Sequence, residues 1–262
     1  LIRIHSAQTG FAVMLLELAK SSNIPLFAQW HSGAVETDEE ITESHLRKVM
    51  MGADVVVTVA RVSVEQIRRK YGRDAIYIGS IRELELFDPR LVTPQIISAT
   101  RAEYGFADRT IIISPNRINN GKGTLEAIQA IECLRERWPQ ILLVLIGHAD
   151  DRLYAEAVEN YIASQGLGGF VKIIPGTTDT IKIRNLIAVS VAVLLPSTLS
   201  EGTSGVLLEA QAMQKPVITT PIGGNPGAIV PKKIGLLVRF LRRIKGSPLS
   251  VDVKRLSKAI EV

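Results

Sequence analysis

Two glutamates in "LSEGTSGVLLEAQAMQKP", residues 199–216, have the spacing that most directly suggests chemistry. Glu201 opens a turn of small residues, and Glu209 lies eight positions later in an otherwise apolar run. A carboxylate on a buried helix is costly unless it is paired or hydrogen-bonded, so Glu209 needs a partner such as the two vicinal hydroxyls of a ribose. The alternative is that Glu209 faces solvent and Glu201 is a turn residue beside a helix cap.

The small residues after Glu201 predict an anion site at the beginning of a helix. An apolar run, Val191–Leu195, leads into "PSTLSEGTSG", and a helical pattern covers Ser204–Met213. A helix N-terminus offers unpaired N–H groups and a positive dipole end, while Gly202 and Gly205 let a ligand approach the backbone. The sequence therefore predicts a phosphate at this turn, with Glu201 placed to accept hydrogen bonds from neighbouring hydroxyls.

Two further loops follow predicted strands and carry candidate side chains. In "SPNRINNGKGT", residues 114–124, Arg117 and Lys122 supply two cations that can neutralise a diphosphate, although a basic turn is also typical of solvated surface. The loop is not a P-loop, because GxxxxGK followed by Ser or Thr is absent. In "FAQWHSG", residues 27–33, His31 ends a buried-type strand and is either a structural residue or an acid, base or electrostatic partner.

These loops are positioned by elements that alternate along the chain. Short apolar runs rich in β-branched residues are followed by amphipathic stretches, a pattern typical of parallel sheets covered on both faces. The predicted fold class is α/β with doubly wound parallel sheets, whose ligands bind outside the carboxyl ends of the strands. The predicted strands are Ile2–His5, Leu26–Trp30, Asp54–Val59, Ile76–Ile78, Thr110–Ser114, Ile141–Ile146, Val171–Ile174, Val191–Leu195, Pro216–Thr219 and Gly235–Val238, and the predicted helices include Ala7–Lys20, Thr124–Arg137, Arg152–Gln165 and Ser204–Met213.

The stretch "LVTPQIIS", around Pro94, interrupts this alternation without a clear element of its own. The strand and helix pattern begins again after it, so two domains are predicted, 1–92 and 93–262. A chain of 262 residues, with 46% hydrophobic and 22% charged residues, has the size and composition of a globular protein with one large or two medium domains.

The composition of the chain indicates which kinds of binding partner the protein can have and in which cellular compartment it folds. The net charge of +5 is compatible with nucleic acid, anionic lipid or phosphorylated small molecules. Basic and acidic residues are interleaved and aromatic residues make up only 5% of the chain, so no nucleic-acid partner is predicted. Cys133 is the only cysteine, which excludes an internal disulfide and favours a reducing, cytoplasmic compartment; its helical pattern predicts a core or partly buried position.

Together these stretches resemble family 4 of the retaining glycosyltransferases, which have the two-domain GT-B fold. That family's signature is a pair of glutamates with seven residues between them, here Glu201, "GTSGVLL" and Glu209, followed by "AQAMQKPVITTPIGGNP". Arg117 and Lys122 in "NRINNGKG" stand in the places of the family's arginine and lysine. The phrases "ADVVVTVARVSVEQIRRKYG", "ELELFDP", "LVLIGHADD" and "GLLV" are also similar to the family, so the resemblance covers nearly the whole chain.

The resemblance implies two Rossmann-like domains facing a cleft, with a nucleoside diphosphate sugar held by the second. Glu209 would hold the ribose, Glu201 the hydroxyls of the donor sugar, and His31 would touch that sugar near the reacting carbon. The groups implied to hold the diphosphate as it leaves are Arg117, Lys122 and the turn formed by Gly202, Thr203, Ser204 and Gly205.

Several positions depart from the family pattern. Asn116 stands where a glycine usually precedes the arginine, Gln214 where a glycine usually precedes "KP", and Gly227 where a glutamate is common. The chain begins at Leu1 rather than Met, with only about 90 residues before the predicted domain join, where a nucleotide-binding half needs more. The first domain is therefore expected to be incomplete at its N-terminus.

The expected reaction is transfer of a sugar from a nucleoside diphosphate sugar to a hydroxyl of a glycan, a lipid-linked acceptor or a small molecule, with retention at the anomeric carbon. No cofactor is expected, and the lack of an Asp-x-Asp motif predicts metal independence. Alternatives are a sugar-nucleotide epimerase or a sugar phosphorylase of the same fold, and a truncated module that binds the nucleotide sugar without turnover. "GGNPG" does not match GxGxxG, which disfavours a dinucleotide-binding regulator.

The basic stretch "LLVRFLRRIKG", residues 236–246, has two interpretations. As a helix it has one apolar face, with cations on the remaining surface, which predicts peripheral contact with an anionic membrane at the inner face. The favoured interpretation is that the apolar face packs on the sheet of the second domain and the cations are solvated.

Overall fold

The structure is a computed structural model that describes residues 1–4, 10–31, 40–80, 84–200, 202–229, 235–238 and 250–261. The chain divides into two compact units. Unit 1 comprises Leu1–Ile81, Ser200–Ser204 and Ile222–Gly227, and unit 2 comprises Arg82–Leu199, Gly205–Pro221 and Ala228–Val262. The domain boundary placed between residues 92 and 93 stays a prediction.

Unit 1 is built on a four-stranded parallel sheet, as the apolar runs predict. Helices pack on this sheet and share one buried core with it, which includes Ala28 from the second strand and Leu16, Leu46 and Ile67 from the three helices. The strands are β1 (Ile2–Ile4), β2 (Leu26–Trp30), β3 (Val55–Thr58) and β4 (Ile76–Tyr77), in the order β1-β2-β3-β4, and the helices are α1 (Gly10–Ser21), α2 (Glu40–Gly52) and α3 (Arg61–Tyr71).

Unit 2 is built on a six-stranded parallel sheet of order β10-β9-β8-β5-β6-β7. The strands are β5 (Thr110–Pro115), β6 (Ile141–Gly147), β7 (Val171–Pro175), β8 (Ala192–Leu195), β9 (Val217–Thr219) and β10 (Gly235–Leu237). The remaining helices are α4 (Pro94–Glu103), α5 (Thr124–Glu132), α6 (Arg152–Ser164), α7 (Thr180–Val189), α8 (Gly205–Ala212), α9 (Asn225–Ala228) and α10 (Val253–Ile260), with 3-10 turns at Leu84–Phe87, Pro89–Leu91 and Asn120–Lys122.

Strand β6 shows why these runs are almost continuously apolar. Successive side chains of a strand point to opposite faces of the sheet. Leu143 and Leu145 belong to one core cluster together with Ile128 of α5, while Val144 lies in a second cluster with Leu186 of α7. Both faces of β6 are therefore covered, and a solvent-facing polar alternation has no place in it.

The order of the sheet in unit 2 creates a crevice beside β5. The chain passes from β5 through β6 to β7, and then returns to place β8 on the opposite side of β5. From β5 the chain continues to β6 on one side, and from β8 it continues to β9 on the other; such a switch point is where doubly wound sheets bind ligands. The fold thus directs attention to the carboxyl ends of β5 and its neighbours.

Two sequence predictions about helices are wrong. Pro94–Glu103 forms α4 where no element was predicted, and its start signals were present: the Thr93 hydroxyl accepts a hydrogen bond from the Ile96 N–H at 3.4 Å, and a proline occupies the first turn. Cys133 is exposed rather than part of the core. The physical reason is that α5 ends at Glu132 instead of Arg137, so the flanking residue Leu134 takes the buried place.

The stretch 236–246 begins as a strand, as the predicted run Gly235–Val238 requires, and not as a helix. Leu236 and Leu237 pair in parallel with Ile218 and Thr219 of β9. A side-chain carbon at Gly235 would lie 2.3 Å from the Val217 carbonyl oxygen, so the two strands approach closely there. Residues 239–246 lie outside the described residues, and the predicted membrane contact stays a prediction.

Gln214 adopts a left-handed backbone conformation. It stands at the position where the family that the sequence resembles usually has a glycine. Helices α3 and α6 are each followed by a glycine in this conformation, Gly72 at φ 65° and Gly166 at φ 64°. After α8 the same conformation is held by Gln214 at φ 56°, while the Lys215 N–H donates to the Ala210 carbonyl at 2.9 Å. A side chain in the left-handed region costs roughly 1–2 kcal/mol, which glycine avoids.

We therefore expect Gln214→Gly to raise the free energy of unfolding by roughly 0.5–1 kcal/mol, because relief of strain exceeds the entropy that glycine adds to the unfolded chain. The matched control is Gln165→Gly, at the end of α6, where φ is −89° and only the entropic cost applies. Chemical denaturation of both variants measures the difference. A loss of stability at position 214 equal to that at position 165 would contradict the argument.

Candidate functional site

A cavity of about 380 Å³ opens within unit 2 at the carboxyl ends of three adjacent strands. Asn116 and Arg117 reach it from the loop after β5, and Gly147 and His148 from the end of β6. The segment after β7 adds Gly176, Thr177, Thr178 and Thr180, and helix α8 adds Val206 and Glu209. The cavity thus combines loops from different strands, as the switch point of the sheet predicts.

Two glycines allow the loops to come together at this cavity. A side-chain carbon at Gly147 would lie 1.9 Å from the Asn116 carbonyl oxygen, and one at Gly176 would lie 2.6 Å from a ring carbon of His148. Both distances are shorter than any normal contact of a side-chain carbon, so a residue larger than glycine at either position would force its neighbours to move. The Asn116 N–H meanwhile donates to the Ile146 carbonyl at 2.9 Å, so the loop after β5 runs directly beside the end of β6.

Arg117 lines the cavity and is held by a carboxylate from the neighbouring loop. Its Nη1 donates to Oδ2 of Asp150 at 2.9 Å. The same oxygen accepts a hydrogen bond from Nδ2 of Asn119, also at 2.9 Å. The arginine side chain remains 63% exposed, so its cation is available at the surface of the cavity.

Lys122 lies in a buried turn, contrary to the view of this loop as solvated surface. Its neighbours Gly121 and Gly123 are also buried. Gly123 has φ 69°, and a side-chain carbon there would lie 2.1 Å from the Pro196 carbonyl oxygen, so no other residue fits without movement. The Thr198 N–H donates to the Gly121 carbonyl at 3.0 Å, which fastens this turn to the loop after β8.

Burial changes the protonation of Lys122. The pKa of its ammonium group is lowered to about 8, chiefly by removal from water and further by the nearby Arg117 cation, while the Asp150 carboxylate acts in the opposite direction. Lys122 is therefore close to half protonated at mildly alkaline pH. An anion bound beside it would favour the charged form and raise the pKa.

Glu209 is carried into the cavity by α8. Leu207 and Ala210 on the same helix are buried against the sheet, while Glu209 is half-buried and lines the cavity together with Val206. Glu209 lies just over one turn after the beginning of α8 at Gly205. The structure therefore puts Glu209 and Arg117 on the walls of one cavity.

A second group of predicted residues lies in unit 1. His31 follows β2 and is exposed, and a side-chain carbon at Gly202 would lie 2.2 Å from the His31 carbonyl oxygen. The Thr203 hydroxyl donates to the Val59 carbonyl at 3.1 Å, and the Ser204 N–H donates to Oδ1 of Asn225 at 3.4 Å. Glu201 lies outside the described residues.

The sequence analysis missed several residues of the cavity. It did not name His148 or the Gly176–Thr178 segment, which follow β6 and β7. It also did not name Asp150, which contacts Arg117 without lining the cavity. The signal was available, because the rule that ligands bind after the strands applies to those two loops as well. The missed residues are polar residues or glycines, and none of them belongs to a recognisable catalytic or binding motif.

The cavity wall carries the cation Arg117 and the carboxylate Glu209 at the ends of parallel strands, and Lys122, in the turn after β5, is close enough to Arg117 for the two charges to interact. Cations in this setting neutralise phosphate groups, and a carboxylate accepts hydrogen bonds from hydroxyls. Within the described ranges, no group of three or more His, Cys, Asp or Glu side chains is arranged to hold a metal ion. None of the described helices combines the length and the apolar character needed to cross a bilayer.

The chain belongs to the family described as glycosyl transferases group 1, which it matches over residues 97–241, more than half of its length. The match covers β5 to β10 and therefore all the residues that line the cavity except Phe87. The predicted family resemblance is confirmed at this level.

Known proteins agree with this assignment in sequence and in fold. The GDP-mannose-dependent alpha-(1-6)-phosphatidylinositol monomannoside mannosyltransferase of Mycolicibacterium smegmatis is 25% identical over 205 residues, 76% of this chain and 52% of that protein. The D-inositol 3-phosphate glycosyltransferase of Mycobacteroides abscessus is 26% identical over 198 residues, 73% of this chain and 42% of that protein. The chain thus spans about half the length of these curated relatives.

The structure of HepE from Anabaena in complex with UDP matches this chain with a TM-score of 0.79 at 22% identity. The match covers 95% of this chain and 66% of that one. The predicted GT-B-like fold class, with two parallel α/β sheets, is confirmed by this likeness and by the sheets themselves.

We expect the side chain of Lys122 to titrate with a midpoint near pH 8, because burial disfavours its charge. NMR of the protein with ¹³C-labelled lysine measures this directly, and Lys122→Arg identifies the resonance. A midpoint above pH 10 for the resonance lost in that variant would show that the ammonium is solvated.

Proposed function

We propose that this chain is the donor-binding part of a retaining glycosyltransferase that moves a sugar from a nucleoside diphosphate sugar to a hydroxyl acceptor. The observation that carries the proposal is the cavity of unit 2, whose walls include both Arg117 and Glu209. A nucleoside diphosphate needs a hydrogen-bond acceptor for its ribose and cations for its phosphates. The two side chains, together with nearby Lys122, meet that need.

Each side chain has a separate task in this proposal. Glu209 accepts hydrogen bonds from the vicinal hydroxyls of the ribose, because a carboxylate oxygen is a strong hydrogen-bond acceptor. Arg117 and Lys122 bind the diphosphate, and the loops that carry His148 and Gly176 enclose the base. The roles that the family resemblance implies for His31 and Glu201 at the donor sugar, and for the turn of Gly202, Thr203, Ser204 and Gly205 at the phosphates, stay part of the proposal.

The chemistry depends on stabilising the leaving group. The bond between the anomeric carbon and the β-phosphate oxygen breaks and negative charge grows on the diphosphate. The acceptor oxygen bonds to the same face of the sugar, and the proton of its hydroxyl passes to the departing diphosphate. Cations that are already oriented toward the growing charge stabilise the transition state more than the ground state. Arg117 and Lys122 supply two positive charges at that place, so we propose a metal-independent reaction.

The names of similar proteins support the class of donor. HepE was solved with UDP, and the relative from Mycolicibacterium smegmatis is described as dependent on GDP-mannose. Both ligands contain a ribose and a diphosphate, the parts that Glu209 and the cations would hold. We therefore name UDP and GDP as the probes for binding.

Calorimetric titration of the 262-residue chain with UDP, GDP and NAD tests the proposal. We expect UDP or GDP, whose terminal phosphate carries additional negative charge, to bind more tightly than NAD, whose diphosphate is esterified at both ends by nucleosides. Binding of NAD alone, or of none of the three ligands, would overturn the proposed function.

Glu209→Ala is expected to weaken binding of the preferred nucleoside diphosphate by roughly 10- to 100-fold, since charge-assisted hydrogen bonds contribute about 1.5–3 kcal/mol. The matched control is Glu159→Ala on the exposed face of α6. The 2′-deoxy form of the ligand sharpens the test: wild type should prefer the ribose form, and Glu209→Ala should not. Unchanged affinity in a folded variant would remove Glu209 from the ribose site.

Arg117→Ala and Lys122→Ala are each expected to lower turnover more than donor binding, because their contact strengthens as charge develops on the diphosphate. Mass detection of products from UDP-glucose and GDP-mannose measures turnover, with and without excess EDTA. Equal losses in turnover and donor affinity would make both residues simple binding groups. Activity abolished by EDTA and restored by a divalent cation would contradict metal independence.

A further inference from the structure

The anchor of Arg117 lies outside the cavity that the arginine lines. Arg117 is part of the cavity wall, whereas Asp150, its hydrogen-bond partner, is not. The carboxylate therefore holds the guanidinium without itself lining the cavity. One oxygen, Oδ2, accepts from both Arg117 and Asn119, so the same atom fixes two side chains of the loop after β5.

The backbone places Asp150 opposite this loop with little freedom. Ile118 and Ala149 form a parallel bridge, and the Ile118 N–H donates to the His148 carbonyl at 2.9 Å. Residues 116–119 therefore run alongside residues 146–150 as a short extension of the β5 and β6 pair. Asp150 occupies the far end of that extension, facing Arg117 and Asn119.

We propose that Asp150 is a positioning residue that orients the Arg117 guanidinium toward the diphosphate of a bound nucleotide. The proposal rests on the proposed function, because it needs a diphosphate in the cavity of unit 2. Asp150 does not touch the ligand and acts through Arg117. A guanidinium has five N–H donors, so Arg117 can keep its bond to Asp150 and still donate to phosphate oxygens.

The sign of the effect separates this role from simple electrostatics. A carboxylate next to an anion site repels the ligand, so its removal alone should tighten binding. Surface pairs as exposed as this one, at 63% and 40% of the two side chains, contribute little to stability. Orientation of Arg117 remains as the contribution that offsets the repulsion, and its loss should weaken binding.

The same carboxylate also acts on Lys122. Among the described residues, Arg117 and Asp150 are charged groups that influence this ammonium, with Arg117 lowering its pKa and Asp150 raising it. Burial has the largest effect and lowers the pKa to about 8. Without the charge of Asp150, Lys122 should lose its proton at lower pH, and the diphosphate should lose a partner there.

The test is the affinity of the 262-residue chain for UDP and GDP between pH 6.5 and pH 9.5. For Asp150→Asn, which keeps the shape of the side chain, we expect roughly three- to tenfold weaker binding at pH 7. We also expect the loss of affinity at alkaline pH to begin at lower pH than in wild type. Asp150→Ala should behave in the same way, and thermal unfolding confirms that both variants are folded.

The matched control is Asp151→Asn, which removes the same charge one residue away. Asp151 caps α6, accepting from the Leu153 N–H at 2.9 Å, and asparagine caps helices equally well. This variant should bind nucleotide like wild type. In an Arg117→Ala background, Asp150→Asn should cause no additional weakening, because the residue through which it acts is gone.

The outcomes separate this proposal from the proposed function. If wild type binds UDP or GDP but Asp150→Asn binds equally well or more tightly, the positioning role is overturned and the nucleotide site stands. The same loss in the Arg117→Ala background also overturns the role. If wild type binds neither nucleotide, both proposals fall.

Discussion

The site depends on a glycine turn that buries the ammonium group of Lys122 at the switch point of the sheet. The turn follows β5, and it packs so closely against the loop after β8 that Gly123 cannot carry a side chain. Burial disfavours the charged form of this ammonium group and lowers the pKa of Lys122 to about 8. An anion bound near it would favour the charged form, so the proposed diphosphate and the buried cation stabilise each other.

Much of the fold follows from the alternation of apolar runs and amphipathic helices. Strands such as β6 are covered on both faces, and that burial produces the continuous apolar pattern by which they were predicted. Helix α4 was overlooked because its sequence interrupts the alternation, although Thr93 and Pro94 mark a helix start. The sequence analysis predicted that α5 ends at Arg137, whereas it ends at Glu132. The apolar pattern continues beyond the last helical turn and so does not show where the helix ends.

The candidate site was predictable where a charged residue marks it and not where the backbone makes it. Arg117, Lys122 and Glu209 stand out by residue type at the ends of strands. The roles of Gly147 and Gly176 come from close approach between loops, which depends on strand pairing that no spacing reveals. Asp150 appeared in the sequence analysis only within the family-like phrase "LVLIGHADD". Its contact with Arg117 depends on the parallel register of β5 and β6, which the sequence does not show.

The central claim is that a nucleoside diphosphate occupies the cavity of unit 2, and a crystal structure of the chain with bound UDP or GDP tests it most directly. We predict the ribose hydroxyls within hydrogen-bond distance of the Glu209 carboxylate, and the diphosphate in contact with Arg117 and Lys122. A nucleotide bound elsewhere on the chain, or one in the cavity with its phosphates turned away from both cations, would contradict the account.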